Sequence, residues 1–248
     1  MRLRITFSKS GALRYTGHLD LRTTWERTVR RAGLPLAYTH GFHPGPRIQI
    51  ASALPLGFIG RAEIVDIWLQ ENTGATPLAA PEGHRSHPYV DVLQPAAPPG
   101  LGIVSAEQVN EAGPALQTQV DSAEYEVTLL DPVDGKELAR RLNAALSVES
   151  LPRQRRGKTY NLRPLIEALS VMPAAPQASS FREGKPGAAS RRNTRRVKGE
   201  RQDVRIFMRL AARQGATARP EEVLDVLGIP FETTRIERTR LILKSGIE

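Results

Sequence analysis

A period-two alternation of apolar and polar residues opens the chain and returns near its end, and it commits the fold to a sheet. Leu3, Ile5 and Phe7 alternate with Arg2, Arg4 and Thr6. Val204, Ile206, Met208 and Leu210 repeat the pattern, and Thr239, Leu241 and Leu243 repeat it again. Side chains that change face at every residue belong to half-buried strands, because a helix returns to one face only after three or four residues. From His18 to Ala32 the period changes: Leu21, Trp25, Val29 and Ala32 make one apolar stripe, with Thr16 placed to cap it and Asp20 in the first turn. Gly33 and Pro35 end that helix. Arg47 to Leu54 reads as a strand, Pro55 to Gly60 as a turn and Ile64 to Leu69 as a further strand. Residues 72–100 are rich in Pro, Gly and Ala, a composition in which a helix is hard to sustain, and Leu101 to Val104 supplies a fourth strand.

A second unit begins near Asp121, after a connector over Asn110 to Gln119. Ala123 to Leu130 is a strand, and Asp134 caps a helix to about Leu146 with Glu137 completing a capping box. Leu151 to Leu162 is extended chain around the turn Arg156-Gly157-Lys158, and Pro164 opens a short helix. Pro220 to Leu227 is a short helix closed by Gly228 and Pro230. Each half approximates β-α-β-β-α-β. The expected fold class is therefore α+β: two tandem ferredoxin-like (split βαβ) domains, residues 1–118 and 119–248, each an antiparallel sheet with helices on one face. The second carries a disordered basic loop at 173–200.

Composition narrows the chemistry. The 248 residues include no cysteine, so this chain cannot hold an iron–sulfur cluster through thiolates, form a disulfide or use a thiol nucleophile. No apolar run approaches the ~20 residues that span a bilayer. Met1 to Phe7 alternate instead of forming a signal-peptide apolar run, so a cytoplasmic protein with no membrane partner is expected. The net charge of +9 is segregated: residues 1–50 hold nine Lys/Arg against two Asp/Glu, residues 51–150 five against fourteen, and residues 151–200 twelve against three. Two basic regions around an acidic one point to a polyanionic partner, or to a solubilising pattern with a basic loop.

The functional residues concentrate between Gly11 and Gly57. Arg14-Tyr15-Thr16-Gly17-His18-Leu19-Asp20 leads into a helix whose exposed side carries Arg22, Arg27, Arg30 and Arg31. Tyr38 and a loop containing His40, Gly41, Phe42, His43, Pro44, Pro46 and Arg47 follow. Flat rings stack on bases, and arginines contact phosphates. Arg153, Arg155, Arg156 and Lys158 form a second candidate contact region. Plainer roles compete: Asp20 as a helix-dipole residue, Arg22-Glu26-Arg30 as a charge ladder, Phe42 as a plug under the loop. His40 and His43 have the spacing of a metal pair, but no nearby carboxylate or cysteine completes it, so neither a metal nor a cofactor is assigned.

These residues carry a resemblance. Gly11…Arg14-Tyr15-x-x-His18-Leu19-Asp20-Leu21, then Arg30 to Tyr38, Gly41-Phe42-x-Pro44-x-Pro46 and Ala53-Leu54-Pro55-Leu56-Gly57 resemble the bacterial radical SAM-linked protein family. Ser122-Ala123-Glu124-Tyr125 and Asn161 to Ile166 resemble its second half. The family usually has Ser-Gln-Gly-Phe-Asn-Pro-His-Pro in the loop, where this chain places histidines at His40 and His43 and Gly45 where the family has one. An essential base does not migrate, so His18 has the better claim among the histidines. The resemblance implies a helper of a radical SAM protein and assigns no activity of its own. Three functions follow as expectations: a non-catalytic accessory that binds RNA for modification by that partner, a protein-only adaptor docking on it, and a metal-independent ribonuclease using His18, His40 or His43.

Overall fold

Strand β1 (Arg2–Lys9) turns Leu3, Ile5 and Phe7 into the core and Arg2, Arg4 and Thr6 to the opposite face, as the alternation requires. In this computed structural model, residues 1–70, 88–172 and 204–244 are described. A 3-10 turn, Gly11–Tyr15, leads into α1 (His18–Arg31), which buries Leu21, Trp25, Thr28 and Val29. The Phe7 and Trp25 rings meet edge to face at 5.1 Å. Thr16 does not cap α1: the N-cap is Gly17 without a side-chain bond, and the Thr16 carbonyl accepts from Lys9 Nζ at 2.7 Å.

Strand β2 (Ile48–Ile50) is shorter than expected, because Ala51, Leu54 and Phe58 leave the ladder and enter the core of the second half. Strand β3 (Ile59–Trp68) starts earlier than Ile64 for the same reason: Ile59 and Gly60 pair with a strand from the far end of the chain. Residues 88–96 correct the reading of 72–100 as unsuited to a helix. Helix α2 (Pro88–Ala96) forms there, with Tyr89, Leu93 and Ala96 buried. Pro88 sits at the first helical position, where its missing N–H costs nothing. Strand β4 (Leu101–Val109) runs beyond Val104 because β1 pairs with its whole length.

The second half continues with a short α3 (Leu116–Gln119), β5 (Val120–Leu129) and α4 (Gly135–Ser147). Asp134 caps α4 through Lys136 N, while Glu137 pairs with Arg140 and Arg141 instead of closing a capping box. Strands β6 (Pro152–Arg155) and β7 (Lys158–Asn161) form a separate two-stranded hairpin, not a strand of the main sheet. The strand that fills that place is β8 (Ile166–Met172), which follows a 3-10 turn, Arg163–Leu165, where a short helix was expected. The chain ends with β9 (Arg205–Arg213), β10 (Ala216–Thr217), α5 (Pro220–Val226) and β11 (Thr234–Leu243). The expected loop at 173–200 lies outside the described residues.

The class is α+β, with a large, mostly antiparallel sheet. Its strands run β10-β9-β5-β11-β3-β1-β4, with β2 on β3 and β8 on β9. Within the first half the order is β4-β1-β3-β2, and within the second β11-β5-β9-β8. Where two sheets were expected there is one: β11 joins β3 in parallel, Glu237 opposite Ile59 and Arg238 opposite Gly60. Two apolar cores flank that seam, one under α1 and α2 and one under α4 and α5. Behind the seam a fully buried Arg238 makes a bidentate ion pair with Glu63 and donates to the Ser52 and Ala53 carbonyls.

Candidate nucleic-acid interface

The Gly11–Gly57 segment folds into one surface because its Tyr38–Pro46 loop is tied to α1 and Gly57 to the 3-10 turn before it. The Tyr38–Pro46 excursion closes on itself through a bridge between those two residues and through Thr39 N to the Gly45 carbonyl at 2.8 Å. Arg22 donates to the Pro46 carbonyl at 2.8 Å and Arg30 donates to the Tyr38 hydroxyl, so the loop lies along the helix. Gly57 N donates to the Arg14 carbonyl at 3.0 Å, which brings Leu56 beside the 3-10 turn. Beneath, burial pushes the Lys9 ammonium below its ordinary value, with Glu63 opposing and Arg238 adding to the shift.

Rings and cations face outward on this surface. Phe42 is 101% exposed at the loop tip and Tyr15 is 62% exposed. It follows that Phe42 does not plug the core. The Arg14 guanidinium lies 4.7 Å over the Tyr15 ring, and Arg30 lies 5.8 Å over Tyr38. His18, Asp20, Gly41 and Pro44 are exposed as well. Other candidates have structural partners. Arg31 donates to the Ala96 carbonyl at 2.7 Å and so closes the C-terminus of α2, while Arg22 holds the loop. Arg47 stacks 4.8 Å from the Trp68 ring, whose other neighbour is Arg2, also at 4.8 Å. The charge ladder forms in part, as Arg30 with Glu26 at 2.9 Å. Among the described residues no three His, Cys, Asp or Glu side chains are grouped to hold a metal. His18, His40 and His43 make no hydrogen bond or ion pair among them. Leu19 and Leu56, which belong to the sequence motif but not to the candidate contacts, are 75% and 61% exposed and join the surface.

Much of the segregated charge is neutralised within the fold. Asp66, fully buried, receives Arg2 and Arg4, and Arg2 also donates to the Gly113 and Pro114 carbonyls, which pins the connector to the sheet. Glu124 receives Arg209 at 2.6 Å and Arg240 at 3.1 Å. Burial raises its carboxyl, but these bonds outweigh burial and hold it below its ordinary value. Glu126 pairs with Arg205 and Arg61, Asp121 with Arg213, and Glu237 with Arg61. The acidic middle of the chain thus lies against basic strands from both ends. Arg27 has no acidic partner among the described residues, nor do Arg156 and Lys158; the Arg219 guanidinium forms no ion pair there either, while its backbone N donates to Glu222 at 3.1 Å.

The second candidate region forms a basic pocket of about 430 Å³ lined by Arg155, Arg156, Lys158, Thr217 and Arg219. Arg155 is immobilised at its wall: it reaches Glu222 through Nε at 3.0 Å and Nη2 at 2.5 Å, the Tyr160 hydroxyl at 3.0 Å and the Thr217 carbonyl at 3.0 Å. Burial and the Glu222 carboxylate push the Tyr160 phenol up to about 12. Arg153 points to Asp225 at 3.1 Å and does not line the pocket. Thr217 and Arg219 lie roughly sixty residues along the chain; the pairing of β10 with β9, the corner into α5 and the bonds of Arg155 to Thr217 and Glu222 bring them here. No helix of the described residues is long and apolar enough to cross a membrane.

No curated protein matches the chain in sequence. A family model described as "Uncharacterized protein conserved in bacteria (DUF2344)" matches residues 2–220, a span that takes in both the signature surface and the basic pocket, so the chain belongs to that bacterial family.

Proposed function

We propose that this protein is a non-catalytic accessory that binds single-stranded RNA along α1 and the Tyr38–Pro46 loop and presents it to a radical SAM enzyme. The observation that carries the reading is the fully exposed Phe42 ring on a loop held at both ends, with the Arg14–Tyr15 stack before the start of α1 and the Arg30–Tyr38 stack at its end. Rings of this kind stack on bases without regard to sequence, and the neighbouring guanidiniums supply phosphate contacts. The radical SAM partner comes from the sequence resemblance, and a chain without cysteine has no thiolates of its own to hold the cluster such chemistry needs. The architecture is read as two split βαβ units fused edge to edge, a reading supported by the matching strand orders of the halves. Ion pairs neutralise the open face of the second half, which favours the α1 edge for RNA.

The test is fluorescence anisotropy with a short single-stranded RNA across a salt series. The expected result is binding whose logarithm falls linearly with the logarithm of salt. Absence of binding at low salt overturns the reading. A second reading, a protein-only adaptor, is favoured by Leu19 and Leu56, aliphatic side chains that do not stack on bases. Capture of a radical SAM protein that survives nuclease, with no RNA binding, selects the adaptor.

A further inference from the structure

We propose that the pocket between the β6–β7 turn and the β10–α5 corner is a terminal-phosphate site, taking the phosphate monoester or diphosphate at the end of a nucleotide or an RNA strand. This deepens the RNA reading and rests on it for the identity of the carrier. Four cations, Arg155, Arg156, Lys158 and Arg219, meet around the pocket, and among the described residues only the Arg155 guanidinium is paired with a carboxylate, Glu222, which also accepts from Arg219 N. A phosphodiester carries one negative charge and leaves most of that excess uncompensated. A terminal phosphate carries about −1.5 to −2 at neutral pH and offers three acceptor oxygens, the better match. The pocket volume of about 430 Å³ exceeds what a lone phosphate fills, leaving room for the attached sugar.

Two further features point the same way. Arg155 is fixed by Glu222, Tyr160 and the Thr217 carbonyl, so one guanidinium stands at the wall already ordered. The turn places Arg156 at φ 51 and Gly157 at φ 77. The first of these positions favours Asn, Asp or Gly, and an arginine there costs about 1–2 kcal/mol of backbone strain. A cation kept at an unfavourable backbone position beside two other unpaired cations fits a ligand that needs its charge.

The experiment compares the full-length protein's affinity for one short single-stranded RNA in three forms: 5′-phosphorylated, 3′-phosphorylated, and hydroxyl at both ends. Calorimetric titration with ADP runs alongside. The triple variant Arg156→Gly/Lys158→Ala/Arg219→Ala is measured with each, and Lys158→Ala alone serves if the triple variant fails to fold. Glycine adopts positive φ freely, so Arg156→Gly keeps the turn. A preference of about tenfold or more for a phosphorylated end, erased in the variant, supports the site. Equal binding of the three RNAs by the wild type overturns it and leaves the RNA reading standing. A preference that survives in the variant overturns its assignment to this pocket. If no RNA binds, the RNA reading falls, and ADP decides: binding lost in the variant supports a phosphate site, and no binding overturns it.

Discussion

At the scale of single residues, exposure separates binding groups from structural ones. Phe42 touches solvent on all sides, so its removal leaves the fold intact. We expect Phe42→Ala and Tyr15→Ala each to weaken RNA binding by about 1–3 kcal/mol, the usual worth of one base stacked on a ring. The thermal midpoint of Phe42→Ala stays at the wild-type value, and unchanged RNA affinity in both variants would remove the stacking surface. Arg22 and Arg31 stand in contrast. They share α1 with Arg27, and in sequence the three are indistinguishable. Yet Arg22 holds the loop through the Pro46 carbonyl and Arg31 holds α2 through the Ala96 carbonyl. Helical spacing tells which side of α1 faces outward, not which carbonyl lies within reach of an arginine.

At the scale of elements, Arg155 and Glu222 fasten the β6–β7 hairpin to α5. Burial raises the Glu222 carboxyl, but hydrogen bonds from Arg155 and Tyr160 outweigh it and hold the group below its ordinary 4.5. A carboxylate with a depressed folded-state value stabilises the protein fully above its unfolded value, and that stabilisation is lost as pH falls through the folded value. Glu222→Gln is therefore expected to lower stability by about 1–3 kcal/mol at neutral pH. The gap narrows below 4.5, where the wild type loses the same interaction. Urea unfolding across that pH range checks this, and a gap independent of pH contradicts it. The elements themselves were mostly readable. Strands β1, β9 and β11 and helices α1 and α4 follow from periodicity, because each buries one face and the pattern records it. Helix α2 and strand β8 were not: α2 forms because α1 and β4 offer Tyr89 and Leu93 a core to enter, and β8 because β9 presents an edge. Those partners are distant in sequence, and local propensity does not register them.

At the scale of the whole molecule, the buried Arg238–Glu63 pair sits where the halves of the sheet meet. Removing one member strands the other charge without water, so Glu63→Met and Arg238→Met are each expected to cost about 3–5 kcal/mol. A combined Glu63→Met/Arg238→Met variant recovers part of that loss. Denaturant unfolding of the three variants forms the cycle, and additive losses would show that the two side chains do not interact. The pair spans the seam, since Glu63 lies in β3 of the first half and Arg238 in β11, the last strand of the second.

The alternation of Leu3, Ile5 and Phe7, the stripe of Leu21, Trp25 and Val29, the absence of cysteine and the gathering of rings and cations between Gly11 and Gly57 were determined by the sequence alone. They are local properties, set by which residue follows which. The tertiary structure alone decided that β11 joins β3, that Asp66, Glu63 and Glu124 neutralise arginines from opposite ends of the chain, and that Arg219 meets Lys158. The physical reason is reach: a Coulomb interaction or a sheet hydrogen bond acts over a few ångströms of space, whatever the separation along the chain, so charge segregated in sequence becomes charge paired across strands.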